Sequence, residues 1–192
     1  MKKPKVIAFA GLDGSGKSSQ IVAVKKILEM RGYKVKVQQH FASPVGRKCE
    51  DIIKMSKDAY IRALAFALDE YFQKIDNATD SEYDVILCDR SHYCAFAYSG
   101  AQGISHDWIT WIYKYSQEYD MCFYLDISLK TSLIQKGFDA ISPSLSDEQF
   151  ARVREIYLEL ATTGKLIKVN AEQDFDKVTE DIKTLICEEL ET

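Results

Sequence analysis

The stretch GLDGSGKSS, residues 11–19, decides the fold. Gly11, Gly16, Lys17 and Ser18 fit the pattern G-x-x-x-x-G-K-[ST]. Glycines let successive backbone N–H groups turn into one concavity, and a following helix adds the positive end of its dipole. A lysine at this spacing reaches the β- and γ-phosphates of a nucleoside triphosphate, and the next hydroxyl can ligate Mg²⁺. The loop therefore predicts ATP held by Gly11, Asp13, Gly14, Ser15, Gly16, Lys17, Ser18 and Ser19. A short match also arises as an ordinary glycine-rich turn, so the flanks matter. An apolar run, KVIAFA (5–10), precedes the loop, and a helical pattern from Ser18 to Arg31 follows it, stopping at Gly32.

The same alternation continues along the chain. KVKVQQ (34–39), DVILCD (84–89), MCFYLD (121–126) and KLIKVN (165–170) read as buried parallel strands. Helical patterns separate them. Ala59 to Ile75 carries Ile61, Leu64, Leu68, Phe72 and Ile75 on one face, read here as the core side. Trp108, Trp111, Ile112 and Tyr115 mark another helix. Ser146 and Gln149 form a capping box for a helix that ends at Gly164, and the last helix runs from about Phe175 to Leu190. The expected fold is a P-loop NTPase: three layers, α/β/α, around a five-stranded parallel sheet. Residues 1–192 are read as one kinase domain, since no repeat, low-complexity tract or linker interrupts them.

Composition narrows the function. The net charge is −4 with acids and bases interspersed, so no basic run marks a nucleic-acid polymer or an anionic membrane as partner. No stretch approaches the ~18 apolar residues of a membrane span. The five cysteines are odd in number, widely spaced and without a CxxC pair, which predicts reduced thiols and a cytoplasmic protein. A phosphate site needs a second acidic group at the end of another strand. Asp89, followed at once by Arg90, is the favoured partner of Ser18 for Mg²⁺; Asp126 is read as a cap on the next turn. The guanine-reading N-K-x-D motif of GTPase switches is missing, since the last strand ends Asn170-Ala171-Glu172-Gln173. These features favour a kinase.

Five stretches carry a resemblance to the thymidylate kinase family over essentially the whole chain: GLDGSGKSSQ (11–20), LAFALDE (64–70), DRSHYCAFAYSG (89–100), YLDIS (124–128) and RVREIYLELA (152–161). The resemblance implies transfer of the ATP γ-phosphoryl group to a nucleoside monophosphate with Mg²⁺, a short lid near 136–146, and a homodimer touching through the 59–75 helix. It implies roles for matching residues. Asp13 lies near the sugar 3′-hydroxyl of the acceptor, Arg90 near its phosphate, and Tyr98 and Ser99 along its base and sugar. Phe66 either stacks on the acceptor base or belongs to the core. Asn170 and Ala171 touch the donor adenine. Lys17, Asp89, Arg90 and Lys136 are the expected catalytic groups.

The departures from the family pattern concern the acceptor and the transferring phosphoryl group. Aligned on Pro44 and Gly46, the arginine that grips the acceptor phosphate becomes Gln38, and its acidic neighbour becomes Gln39. A second family arginine, after an aspartate in the base-contacting helix, becomes Glu70. The phosphate loop carries no arginine, and the lid region offers only Lys136. Arginine on a transferring phosphoryl group is worth about 10³–10⁵ in rate. Arg47, Lys48, Arg62, Arg152 and Arg154 are therefore candidate replacements. An alternative is a kinase for a neutral acceptor such as a nucleoside, with Gln38 and Glu70 lining the pocket and His40 either a general base or a surface side chain.

Overall fold

The computed structural model describes residues 3–135 and 145–191. Five strands form one parallel sheet: β1 (Lys5–Gly11), β2 (Val35–Gln39), β3 (Val85–Asp89), β4 (Met121–Asp126) and β5 (Ile167–Asn170), in the order β2-β3-β1-β4-β5. Eight helices are described: α1 (Lys17–Met30), α2 (Pro44–Met55), α3 (Ala59–Thr79), α4 (His92–Ala101), α5 (His106–Ile112), α6 (Leu129–Gln135), α7 (Asp147–Thr162) and α8 (Phe175–Leu190).

Both faces of the sheet are buried, so its strands are continuously apolar. Val6, Ala8 and Ala10 face one side, where α4 and α7 bring Cys94, Ala97, Val153 and Tyr157. Ile7 and Phe9 face the other, where α1 and α8 bring Ile21, Val24, Leu28 and Ile182. The helices after β1 and β3 thus leave neighbouring strands toward opposite faces. That divergence opens a crevice at the carboxyl ends of the strands, where open α/β sheets bind ligands.

Three short helices were not legible as periodicities: α2, α4 and α6. The first had a readable start, because Ser43 caps it by accepting from Gly46 N (2.9 Å) and Pro44 occupies the first turn. The capping box at Ser146 forms in full. The apolar face expected to bury α3 is corrected. Ile61, Leu64, Leu68 and Ile75 are each 45–50% exposed, and the helix packs inward through Ala63, Ala65 and Ala67 instead. Small alanines let α3 approach its neighbours closely, so the larger residues sit on the outer face. Lys136 and residues 137–144 of the expected lid lie outside the described residues.

Candidate active site

β1 runs directly into the phosphate loop. Gly11 has φ 145°, and a Cβ there would meet Leu125 O at 2.7 Å and Ser15 Oγ at 2.8 Å, so a side chain would collide with β4. Gly16 sits in the left-handed region at φ 84° as the N-cap of α1, with no side chain capping the helix. The first-turn N–H groups are thereby left as donors.

Lys17 is buried, and its Nζ donates to Leu12 O (2.8 Å) and Gly11 O (3.1 Å). Burial, reinforced by the nearby Arg90 charge, lowers its pKa to about 8. An anionic phosphate chain beside it would restore the charge. Ser18 Oγ donates to Asp89 Oδ2 at 2.7 Å, across the crevice between β1 and β3. Two oxygens held this close suit a hard cation that takes its remaining ligands from phosphates and water. Among the described residues no cluster of three or more His, Cys, Asp or Glu offers a metal cage.

Arg90 follows Asp89 with φ 86°, a conformation that costs a non-glycine residue on the order of 1–3 kcal/mol. Its N–H donates to Phe9 O (3.0 Å), and its guanidinium donates to Asp13 Oδ1 at 2.6 Å. Burial works against the charge of Arg90, but the Asp13 carboxylate outweighs it and holds the guanidinium well above its ordinary range. Ser132 Oγ donates to Asp13 O, tying α6 to the same loop.

Beyond Arg90 lies a cavity with about 620 Å³ of space including its mouth. His40, Phe66, Glu70, Arg90, Tyr98 and Ser99 all line it, although they come from four segments of the chain. The Phe66 ring stands 5.5 Å from His40 and 5.1 Å from Phe41, so it forms a wall of the cavity and is only half-buried. Glu70 is almost fully buried. Its Oε1 accepts from Tyr119 OH (2.7 Å) and faces His92 Nδ1 at 3.2 Å. The reversed charge on α3 therefore has its own partners.

Gln38 stands apart from these residues. Its Oε1 accepts from Asn77 Nδ2 (2.7 Å) behind the sheet edge, and it does not line the cavity. Asn170 and Ala171 close the far end of the sheet, where Ala171 N donates to Asp126 O (3.0 Å). The Asp126 side chain was expected to cap a turn. Instead it takes two bonds from Arg154 (2.9 and 3.1 Å) and pairs with Lys168 at 3.0 Å. Burial pushes the Asp126 carboxyl up, but these bonds and that from Tyr124 bring it below its usual range. Arg154 is thus clamped to β4, and Arg152 pairs with Glu155 and Glu159 on the outer face of α7.

Of the candidate replacement bases, Arg62 lines the cavity, with its guanidinium donating to Ile53 O (2.7 Å). Arg47 donates to Ala42 O and Lys48 pairs with Asp51 at the surface. Sequence reasoning missed Ser91, Cys94, Gln102 and Tyr113 in the cavity wall. The i, i+4, i+8 spacing of Cys94, Tyr98 and Gln102 was the available signal.

The thymidylate kinase family profile matches residues 9–182. The chain belongs to the thymidylate kinase family. It is 30% identical over 194 residues to a probable thymidylate kinase of Staphylothermus marinus, covering 96% of this chain and 95% of that one. It is 32% identical over 202 residues to a probable thymidylate kinase of Pyrococcus horikoshii, with 96% of each chain covered. Probable thymidylate kinase 1 of Saccharolobus solfataricus is 30% identical over 198 residues, covering 97% and 98%. The protein is thus an ATP-dependent nucleoside monophosphate kinase of the thymidylate kinase family. No helix among the described residues is long and apolar enough to cross a membrane.

Proposed function

We propose that this kinase phosphorylates thymidine monophosphate, the acceptor named for its relatives, and that it does so with Mg²⁺ as a homodimer in the cytoplasm. The observation carrying the reading is the Ser18–Asp89 contact at 2.7 Å, which puts the phosphate loop and the Arg90 cavity on one crevice. ATP lies along the loop with its phosphates on the α1 N–H groups and on Lys17. Ser18 and Asp89 hold Mg²⁺, which when bound neutralises the phosphate oxygens. Asn170 and Ala171 flank the adenine. The acceptor base stacks on Phe66 beside Tyr98 and Ser99, and Asp13 orients both Arg90 and the acceptor sugar. Arg90 directs the acceptor phosphate toward the γ-phosphoryl group, so proximity and charge supply most of the rate.

The outer face of α3 supports dimerisation. Leu64, Leu68 and Tyr71 border a shallow groove with the exposed Trp111 and Tyr115 of the α5 segment. Contiguous apolar surface of this kind suits contact with a second copy of the chain. The activity is tested by following ADP formation with thymidine monophosphate, other nucleoside monophosphates, free nucleosides and no acceptor, with Lys17→Ala as blank. Turnover with thymidine monophosphate above the others is expected. Turnover with unphosphorylated nucleosides alone would overturn the acceptor assignment.

A further inference from the structure

His40 occupies the turn after β2, two residues beyond the position that aligns with the family's acceptor-phosphate arginine. Gln38, the residue aligned with that arginine, turns into the core and bonds Asn77. The register shows where His40 emerges. Gln39 pairs with Asp89, so His40 and Arg90 are the first residues beyond the ends of two adjacent strands that run about 4.8 Å apart. Both line the same cavity.

His40 is also held firmly. Its Nδ1 lies 2.7 Å from Oδ2 of the fully buried Asp69, which also accepts from Phe41 N (3.1 Å) and Gln73 Nε2 (2.9 Å). The ring is flanked by Phe41 and Phe66, each 5.5 Å away. Phe41 adopts φ 63°, and the turn closes so tightly on Gly46 that a Cβ there would lie 2.5 Å from Asp69 Oδ1. A strained turn, a buried carboxylate and two rings together fix one imidazole at the cavity edge.

We propose that His40, oriented by Asp69, is the acceptor-phosphate ligand that replaces the family arginine, so that acceptor affinity depends on the protonation of its imidazole. With Nδ1–H donating to the Asp69 carboxylate, Nε2 is left for the cavity. With both nitrogens protonated, Nε2–H donates a charge-assisted bond to a phosphate oxygen. Once that proton is lost, Nε2 carries a lone pair that faces the phosphate, and the attraction ends. The inference rests on reading this cavity as the acceptor site.

The charged groups that face His40 are Asp69 and Glu70 on α3, Arg62 on α3 and Arg90 after β3. Burial pushes the Tyr98 and Tyr113 hydroxyls upward, out of the neutral range, and Cys94 completes the wall on α4. A phosphate monoester has its second pKa near about 6, so above pH 6.5 the ligand itself gains charge and would bind more tightly as pH rises. The dependence expected from His40 has the opposite sign.

The test is calorimetric binding of thymidine monophosphate, and of ATP as donor-side control, to the full chain at about pH 6.5 and about pH 8.5, spanning the upper histidine range. Wild type should bind thymidine monophosphate about tenfold more weakly at the higher pH, the loss of one hydrogen bond to a charged group. His40→Arg should bind no more weakly at the higher pH than at the lower. His40→Gln, which keeps a neutral donor for Asp69, should bind weakly at both while melting near the wild-type temperature. A purely structural His40 would leave the Gln variant binding like wild type, and that result would overturn the proposal. Wild-type binding that is tight at both pH values would overturn it while leaving the acceptor assignment standing. No saturable binding of thymidine monophosphate at either pH, with ATP still bound, would overturn both.

Discussion

On the ATP side of the crevice, one run of sequence, residues 11–19, supplies the backbone donors, Lys17 and Ser18. On the acceptor side the cavity wall draws on the turn after β2, on α3, on the β3–α4 turn, on α4 and on Tyr113 beyond α5. The first half keeps the G-x-x-x-x-G-K-[ST] spacing in full. The second has exchanged arginines for Gln38 and Glu70, and each replacement has acquired partners of its own: Asn77 for Gln38, Tyr119 and His92 for Glu70. A backbone cradle offers little room for change, because its glycines are fixed by close approach. A pocket assembled from side chains on separate elements can exchange members while the sheet beneath it stays the same.

That contrast can be broken most severely at Lys17. Lys17→Ala should lower turnover by about 10²–10³-fold, the scale of losing one preorganised donor to developing charge, with the melting temperature nearly unchanged. Unfolding of the variant would instead make Lys17 a core residue. At the junction of the halves, Arg90→Ala leaves the nearly buried Asp13 carboxylate without its 2.6 Å partner. Urea unfolding should register a loss of about 1.5–3 kcal/mol, and turnover should fall as well. Gly46→Ala acts on the acceptor half alone. Its Cβ would press on Asp69 Oδ1 and on the Phe41 backbone at 2.5 and 2.6 Å. The KM for the acceptor should rise with the KM for ATP unmoved, and a parallel rise in both would contradict the separation.

Leu68→Asp, on the exposed face of α3, should convert a dimer into a monomer by light scattering at micromolar concentration. A wild-type monomer under those conditions would refute the dimer. The smallest effect concerns protons. With its pKa lowered to about 8 in the free protein, Lys17 is half-neutral near that pH. ATP phosphates favour its charged form, so ATP binding should take up protons at about pH 8 and far fewer at about pH 6.5, where Lys17 is already charged. Calorimetry in buffers of different ionisation enthalpy measures the uptake, and proton release at pH 8 would contradict it.

The two halves also differed in how far the sequence could be read. The loop 11–19 and the five strands were legible because their signals are local: a fixed spacing and continuous apolar runs. The pairing of Ser18 with Asp89 followed from strand ends meeting at one edge. The outward face of α3 was misread because its large apolar residues share the helical period of a core stripe, while the true inner face is Ala63, Ala65 and Ala67. The bond from His40 to Asp69 spans 29 positions and has no motif. The same holds for the Asp126–Arg154 clamp, which draws a strand end and α7 together. Such pairs arise from packing, and no single segment encodes them.

The most direct test of the account is phosphorus NMR of a mixture of this kinase, Mg-ATP and thymidine monophosphate, with a parallel sample containing thymidine. The account predicts ADP and thymidine diphosphate in the first, marked by a new β-phosphoryl resonance, and no product in the second. A nucleoside monophosphate formed only from thymidine would contradict it, and would mean that the altered acceptor half serves a hydroxyl in place of a phosphate.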